Sequence, residues 1–189
     1  MEKKFLIFGV LLGSFAFSSQ VFANQASAII SATQADSKVA GEATLTEKDN
    51  GLEIEVKVEN LSPGKHGIHI HENGDCGEAG KAAGSHYNPD NVSHGFVVKD
   101  GFEHAHAGDF GNIEVGEDGK GTTKFFVPGL TLTGQQHNVS GKAIILHEKE
   151  DDFGQPTGNA GGRIGCGVIM MKDIGDQASE DNQDTITKN

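Results

Sequence analysis

Gly67-Ile68-His69-Ile70-His71 places two imidazoles two positions apart in a run of β-branched residues. On a strand, successive side chains point to opposite faces. His69 and His71 then project from one face, while Ile68 and Ile70 enter the core from the other. Two imidazoles so placed can grip one metal ion, although such a pair alone is a weak signal. The rest of the chain adds to it. His147 ends a second apolar run, Ala143-Ile144-Ile145-Leu146-His147. His86, His94 and His106 fall in one long segment, and Asp109 follows His106 by three positions. Nine histidines in an acidic chain exceed what surface decoration needs. Imidazole-dominated sites suit copper or zinc. Three histidines with one carboxylate suit tetrahedral zinc. No thiolate or methionine is placed for ligation, which disfavours a soft copper(I) storage site.

Rigid elements must hold these side chains. In Leu52 to Asn60, Ile54, Val56 and Val58 share one side, and Glu53, Glu55, Lys57 and Glu59 the other. That is the period of a half-buried strand. Similar short runs are Lys38–Thr46, His66–Glu72, Thr122–Val127, Lys142–His147 and Gly165–Met171. Turn signals separate them: Asp49-Asn50-Gly51, Asp100-Gly101 and Glu117-Asp118-Gly119. Many short strands with turns between them predict an antiparallel sandwich or barrel. Two segments are too long for simple hairpins. Residues 73–112 carry four of the nine histidines, and residues 148–164 are rich in Gly and Asp. Long loops without structure of their own are usually functional or disordered, and the histidines of the first argue for function.

The N-terminus has a different task. Lys3 and Lys4 precede the apolar run Phe5 to Phe17, and small or polar residues lead to Val21-Phe22-Ala23. This is the layout of a secretory signal peptide over residues 1–23, cleaved after Ala23. The run is too short to span a bilayer, and no second long apolar run predicts a membrane span. Residues 24–37 read as an extension, 38–172 as one domain, and 173–189 as a disordered acidic tail. The formal charge of −12 disfavours nucleic acid as a partner. Export would place Cys76 and Cys166, the only two cysteines, in an oxidising compartment. An even pair there reads as a disulfide. Metal ligation is the alternative, but neither cysteine belongs to a CxxC pair.

Several of these segments resemble those of a known family. Gly67-Ile68-His69-Ile70-His71-Glu72 resembles the copper-binding strand of copper,zinc superoxide dismutases. Ser85-His86-Tyr87-Asn88-Pro89 resembles the family's bridging-histidine segment. His94-Gly95 and His106-Ala107-Gly108-Asp109-Phe110-Gly111-Asn112 resemble its zinc segments. His147 to Asp152 resembles its last copper-ligand segment, and Gly158 to Ile169 its C-terminal signature. The resemblance covers about residues 38–172, with the motifs in family order.

It implies an all-β fold, an eight-stranded antiparallel Greek-key sandwich or barrel with two long functional loops. It implies one copper and one zinc per subunit. His69, His71, His86 and His147 would bind copper. His86, His94, His106 and Asp109 would bind zinc, with His86 bridging the two. The family's His-x-x-Asp spacing selects His106 over His104. Arg163 would sit beside the copper and attract superoxide. Asp151 would link His69 to His94, Cys76 and Cys166 would form the family's disulfide, and His66 would be structural. The implied activity is dismutation of superoxide to dioxygen and hydrogen peroxide in the periplasm, protecting the cell envelope. Exported members include homodimers and monomers, and the sequence leaves both open.

The second loop departs from the family's cytosolic animal enzymes. It is shorter, and Lys149 is its only lysine. Lys81 in the first loop is a candidate for steering, and Thr157 for the channel wall. The rival reading is a non-enzymatic periplasmic copper- and zinc-binding protein on the same scaffold. Loss of a copper histidine or of Arg163 would favour it, and the sequence keeps all of them.

Overall fold

The computed structural model describes residues 23–173. The expected signal peptide and acidic tail lie outside the described residues, apart from Ala23 and Asp173. The strands are β1 (Gln25–Ala32), β2 (Ala40–Lys48), β3 (Gly51–Glu59), β4 (Gly64–His71), β5 (Asp109–Val115), β6 (Gly121–Pro128), β7 (Ala143–His147), β8 (Arg163–Val168) and β9 (Met170–Met171). Among the described residues, helical structure is confined to a 3-10 turn at Glu78–Ala83 and one turn at Val97–Asp100. No helix among the described residues is long and apolar enough to cross a membrane.

Side-chain alternation explains the strands. In β3, Leu52, Ile54, Val56 and Val58 are buried, while Lys57 and Glu59 are exposed. The strand order is β2-β3-β6-β5-β4-β7-β8-β1, and β1 pairs back onto β2. The sheet therefore closes into an eight-stranded antiparallel barrel, as expected, with β9 added beside β1. Closure removes the free edges an open sheet would present. The β3–β6 and β4–β7 pairings join strands distant in sequence, which gives the Greek-key order. Leu45, Leu52, Ile54, Ile68, Phe110 and Ile113 are fully buried in the main core.

The structure differs from the sequence reading in three places. Residues 24–37, read as an extension, contain β1, whose Ala26, Ala28 and Ile30 are buried. Alanine and serine are weak strand formers, so the alternation there is muted. β5 begins at Asp109, inside the segment read as loop 73–112. The C-terminal run starts at Arg163 and breaks at Ile169 into β8 and β9.

The central strands carry the site. β4 pairs with β5 on one side and β7 on the other. Register shifts occur between Gly67 and His69 against β5, and between Leu146 and His147 against β8. Such irregularities re-aim side chains next to functional sites. Cys76 and Cys166 form a disulfide with Cα atoms 5.7 Å apart, tying the first loop to β8 across 90 positions. Closing so long a loop stabilises by roughly 4 kcal/mol in the chain-entropy model. The Cys76→Ser/Cys166→Ser double variant should therefore melt about 10 °C below the wild type in a calorimetric scan. A melting temperature equal to wild type would show that the bridge adds nothing to the fold.

Candidate metal centre

Local chain pairings set the ligand geometry. The chain around His86 runs antiparallel to the end of β4, so that His86 faces His71. The Glu72 and Tyr87 amides donate to Ser85 O and Ile70 O, at 2.9 and 2.8 Å. The Ile70 amide donates to Gly108 O at 2.9 Å, which brings the His106–Asp109 turn against the same strand. The Gly67 amide donates to Lys149 O at 2.8 Å and draws in the second loop.

Two four-residue groups of potential ligands result, linked by a smaller third of His69, His94 and Asp151. His69, His71, His86 and His147 form one; His86, His94, His106 and Asp109 form the other. Within each group the atoms lie within 4.8 Å of one another, and all seven residues are buried. His86 belongs to both. Its ring centroid is 4.1 Å from His69, 4.9 Å from His71, 5.4 Å from His94 and 5.6 Å from His106. Every histidine expected in the site is present, as are Asp109 and Asp151. His104 is exposed, whereas His106 is buried 3.1 Å from Asp109. His137 is half-buried, 2.7 Å from Asp90 and stacked on Phe102 at 3.7 Å. His66 lies 2.9 Å from both His147 O and Ser62 O, away from the ligand groups.

The outer nitrogens fix the tautomers. His69 Nε2 donates to Asp151 Oδ2 at 2.7 Å, His71 Nδ1 to Gly84 O at 3.0 Å and His147 Nδ1 to Gly161 O at 3.3 Å. His94 Nε2 donates to Asp151 Oδ1 at 2.9 Å. The opposite nitrogens, His69 Nδ1, His71 Nε2, His94 Nδ1 and His147 Nε2, are buried without a hydrogen-bond partner. Native proteins rarely leave buried polar atoms unpaired, and each one calls for an explanation. Lone pairs free to ligate metal would account for them, those of His69, His71 and His147 in the first group and that of His94 in the second. His94 Nδ1 lies 2.8 Å from Asp109 Oδ2 without hydrogen-bond alignment, as two ligands of one ion would.

Electrostatics agree for His71, His86 and His147, which stay neutral, whereas His94 holds a proton that a metal ion would have to displace. Burial, then the neighbouring His86, pushes His71 down to about 2. Burial, then His69, pushes His147 down to about 3. Burial also lowers His86, to about 4, against the pull of Asp109. Neutral imidazole is the ligating form. For His94, burial is outweighed by the carboxylates of Asp109 and Asp151, which raise it to about 9. Burial opposes ionisation of Asp109, but hydrogen bonds from His106 and His86, and the nearby His94 ring, hold it far below the usual carboxylate range. Burial likewise opposes Asp151, and His69 and His94 hold it low.

Arg163 lies half-buried at the mouth. Its Nη1 and Nη2 donate to Gly80 O and Gly84 O, each at 2.6 Å. It shares a cavity of about 440 Å3 with His71, His86, His147, Thr157 and Gly161. Thr157 therefore lines the channel, while Lys81 lines an adjoining cavity with Arg163. Gly158 explains a contact that the sequence alone hides. With φ at +76°, a Cβ there would collide with the Asp151 carboxylate and lie 2.7 Å from His94 Nε2. Two amides were also missed. Asn112 donates to Asp151 O at 2.9 Å and accepts from its N–H at 2.7 Å. Gln155 does the same for His94, at 2.8 and 3.1 Å. Neither carries a sequence signal, since Asn and Gln in Gly-rich loops look like ordinary turn residues.

The sequence model of the family Copper/zinc superoxide dismutase (SODC) matches residues 39–169. An extracellular superoxide dismutase [Cu-Zn] of Drosophila melanogaster is 42% identical over 156 residues, covering 76% of this chain and 83% of its own length. One of Haemonchus contortus is 41% identical over 139 residues, 70% of this chain and 74% of its own length. Superoxide dismutase [Cu-Zn] 5 of Dictyostelium discoideum is 40% identical over 124 residues, 62% of this chain and 79% of its own length.

The histidine shifts give a signed pH dependence for the metal-free protein. Between about pH 6.5 and 4 the unfolded chain protonates His71, His86 and His147, which the folded protein keeps neutral. The unfolded state then binds more protons, so stability falls as pH falls. His94, raised to about 9, contributes stability fully present below its unfolded value of about 6.5. Asp109 and Asp151, both lowered, contribute stability that is lost only below about pH 4. The urea midpoint of the metal-free protein should therefore drop from pH 7 to pH 5. A midpoint that holds or rises would contradict these protonation states.

Proposed function

The chain belongs to the copper/zinc superoxide dismutase family, and from that premise we propose that His69, His71, His86 and His147 hold copper while His86, His94, His106 and Asp109 hold zinc. The enzyme is a superoxide dismutase, and its cofactors are copper and zinc. The observation that carries the residue assignment is the set of inward-facing, unpartnered nitrogens on His69, His71, His94 and His147. Imidazole donors fit both ions, and the Asp109 carboxylate fits zinc.

Bound copper supplies the one-electron couple by which two superoxide anions and two protons become dioxygen and hydrogen peroxide. The chain supplies the rest. Arg163 presents its guanidinium to the cavity and holds an incoming anion beside His71 and His147. It must act locally, because the net charge of −12 repels anions at longer range. His86 has Nδ1 toward Asp109, at 2.8 Å, which leaves Nε2 for the other group. We assign it the shared-ligand role; whenever Nε2 is not engaged as a ligand, that nitrogen can take a proton from solvent and pass it to the substrate held at Arg163. Asp151 orients His69 and His94 through their outer nitrogens.

The names of two relatives are those of extracellular enzymes, which supports export of this one. Together with the signal-peptide pattern of residues 1–23, this supports a periplasmic enzyme that protects the cell envelope. The non-enzymatic reading has no observation in its favour, since each expected copper histidine and Arg163 is in the site. Ile29, Met170 and Met171 are exposed apolar side chains on the paired strands β1 and β9. Of these, Ile29 and Met170 share one side of the β1–β9 pair, and we propose that side as the contact of a homodimer.

The decisive assay uses the copper- and zinc-loaded protein. His147→Ala should lose copper and nearly all dismutase activity while keeping zinc. Arg163→Ala should keep both metals and lose about tenfold or more in kcat/KM. Wild-type protein carrying both metals without activity would sink the proposed function. Sedimentation at micromolar concentration should give a dimer, and a monomer there would remove the homodimer.

A further inference from the structure

The His94 main chain sits in a stretch with few strand partners. Residues 88–96 run as irregular chain between Tyr87 and the turn at Val97. Side-chain amides supply the missing pairing. Asn88 donates to Val92 O at 2.9 Å and accepts from the Val92 N–H at 3.1 Å. Gln155 reaches across from the second loop, donating to His94 O at 2.8 Å and accepting from the His94 N–H at 3.1 Å. Gln155 is an exposed residue, yet both polar atoms of its side chain are taken up by one ligand-bearing residue.

Its location adds a second observation. Gln155 lines a cavity of about 380 Å3 with His86, His106, Pro156 and Thr157. This cavity shares Ser85, His86 and Thr157 with the one holding Arg163, but it reaches His106 instead of His71, His147 and Arg163. This second cavity reaches the His106 side of the centre, with Asp109 itself fully buried. The amide clamp of Gln155 forms part of its wall and holds the backbone of His94 behind it.

We infer that Gln155 is a positioning residue for zinc: it locks the His94 main chain and latches the zinc-side opening, so that zinc leaves only when the Gln155–His94 pair parts. The inference rests on His94 being a zinc ligand, as proposed above. Its mechanical basis is simple. His94 Nδ1 is held 2.8 Å from Asp109 Oδ2, and the ring can keep that aim only if its backbone stays in place. Asp151 fixes the ring from its outer edge, and Gln155 fixes the main chain. The first histidine group has no contact of this kind with Gln155, so copper should be indifferent to it.

The test follows release of each metal from copper- and zinc-loaded enzyme into excess chelator, using indicators that distinguish the two. Gln155→Ala should speed zinc release roughly tenfold or more, the usual scale for losing a group that supports a ligand. Copper release should stay within about twofold of wild type. Cobalt substituted for zinc should show an altered visible spectrum in the variant. If Gln155→Ala fails to fold, Gln155→Glu is measured instead, with the same zinc-selective loss expected. It is isosteric and keeps the acceptor, but loses the donor to His94 O. Zinc release and cobalt spectra equal to wild type would overturn the inference. So would equal acceleration of both metals with a lower melting temperature, because a general staple between loops acts that way. Wild-type protein that takes up neither zinc nor cobalt would overturn the His94 assignment itself, a result separate from the other two.

Discussion

The Asp151 carboxylate is the contact on which both histidine groups depend. One oxygen accepts from His69 Nε2 at 2.7 Å, and the carboxylate also accepts from His94 Nε2 at 2.9 Å. Each imidazole is thereby held in the tautomer whose remaining nitrogen faces inward. His69 belongs to one group and His94 to the other. A single carboxylate therefore sets two rings, on a strand and on a loop, in a common frame. Asp151 is fully buried, so its own placement must be exact in the ordinary mechanical sense. Asn112 pins its main chain, and Gly158 leaves the space that the carboxylate fills.

Burial on this scale costs stability unless every polar atom is matched. A buried polar group without a partner costs about 1–3 kcal/mol. Here four ring nitrogens are left open, and several histidines carry depressed proton affinities because desolvation penalises their charged form. The barrel supplies the compensating stability from its closed sheet and its apolar core. Metal binding adds to the folded state alone, because the unfolded chain has no assembled site. Fold and centre are thus coupled in energy as well as in geometry.

The barrel and its ligands were legible in the sequence for different reasons. β3 shows clean alternation of apolar and charged residues, and its register follows from that. The seven ligand candidates were legible because histidine is rare enough that its spacing carries information. β1 was not, because Ala26, Ser27 and Ala28 show little contrast between inward and outward sides. The start of β5 was hidden because Asp109 and Asn112, polar residues at its head, serve the site and so break the strand pattern. The roles of Asn112 and Gln155 could not be read at all. Each acts on main-chain atoms far away in sequence, and no periodicity marks such a contact.

Arg163 shows how far a site residue can depend on elements that never touch the substrate. Its guanidinium is held by the carbonyls of Gly80 and Gly84, and more loosely by Lys81 O at 3.4 Å. Those carbonyls belong to the 3-10 turn at Glu78–Ala83 and the residue that ends it. The Gly80 amide donates in turn to Cys76 O, and Cys76 is bonded to Cys166 on β8, three positions after Arg163 itself. The disulfide thus closes a ring of contacts that begins and ends on one strand. Gly84 O also accepts from His71 Nδ1, so the same carbonyl orients a proposed copper ligand and the arginine beside it. In a chain of net charge −12, attraction of an anion has to come from a cation held at short range, where screening by salt and by distant acidic groups is weakest. A freely moving Arg163 would lose that advantage, and the turn, the disulfide and the shared carbonyl together prevent it.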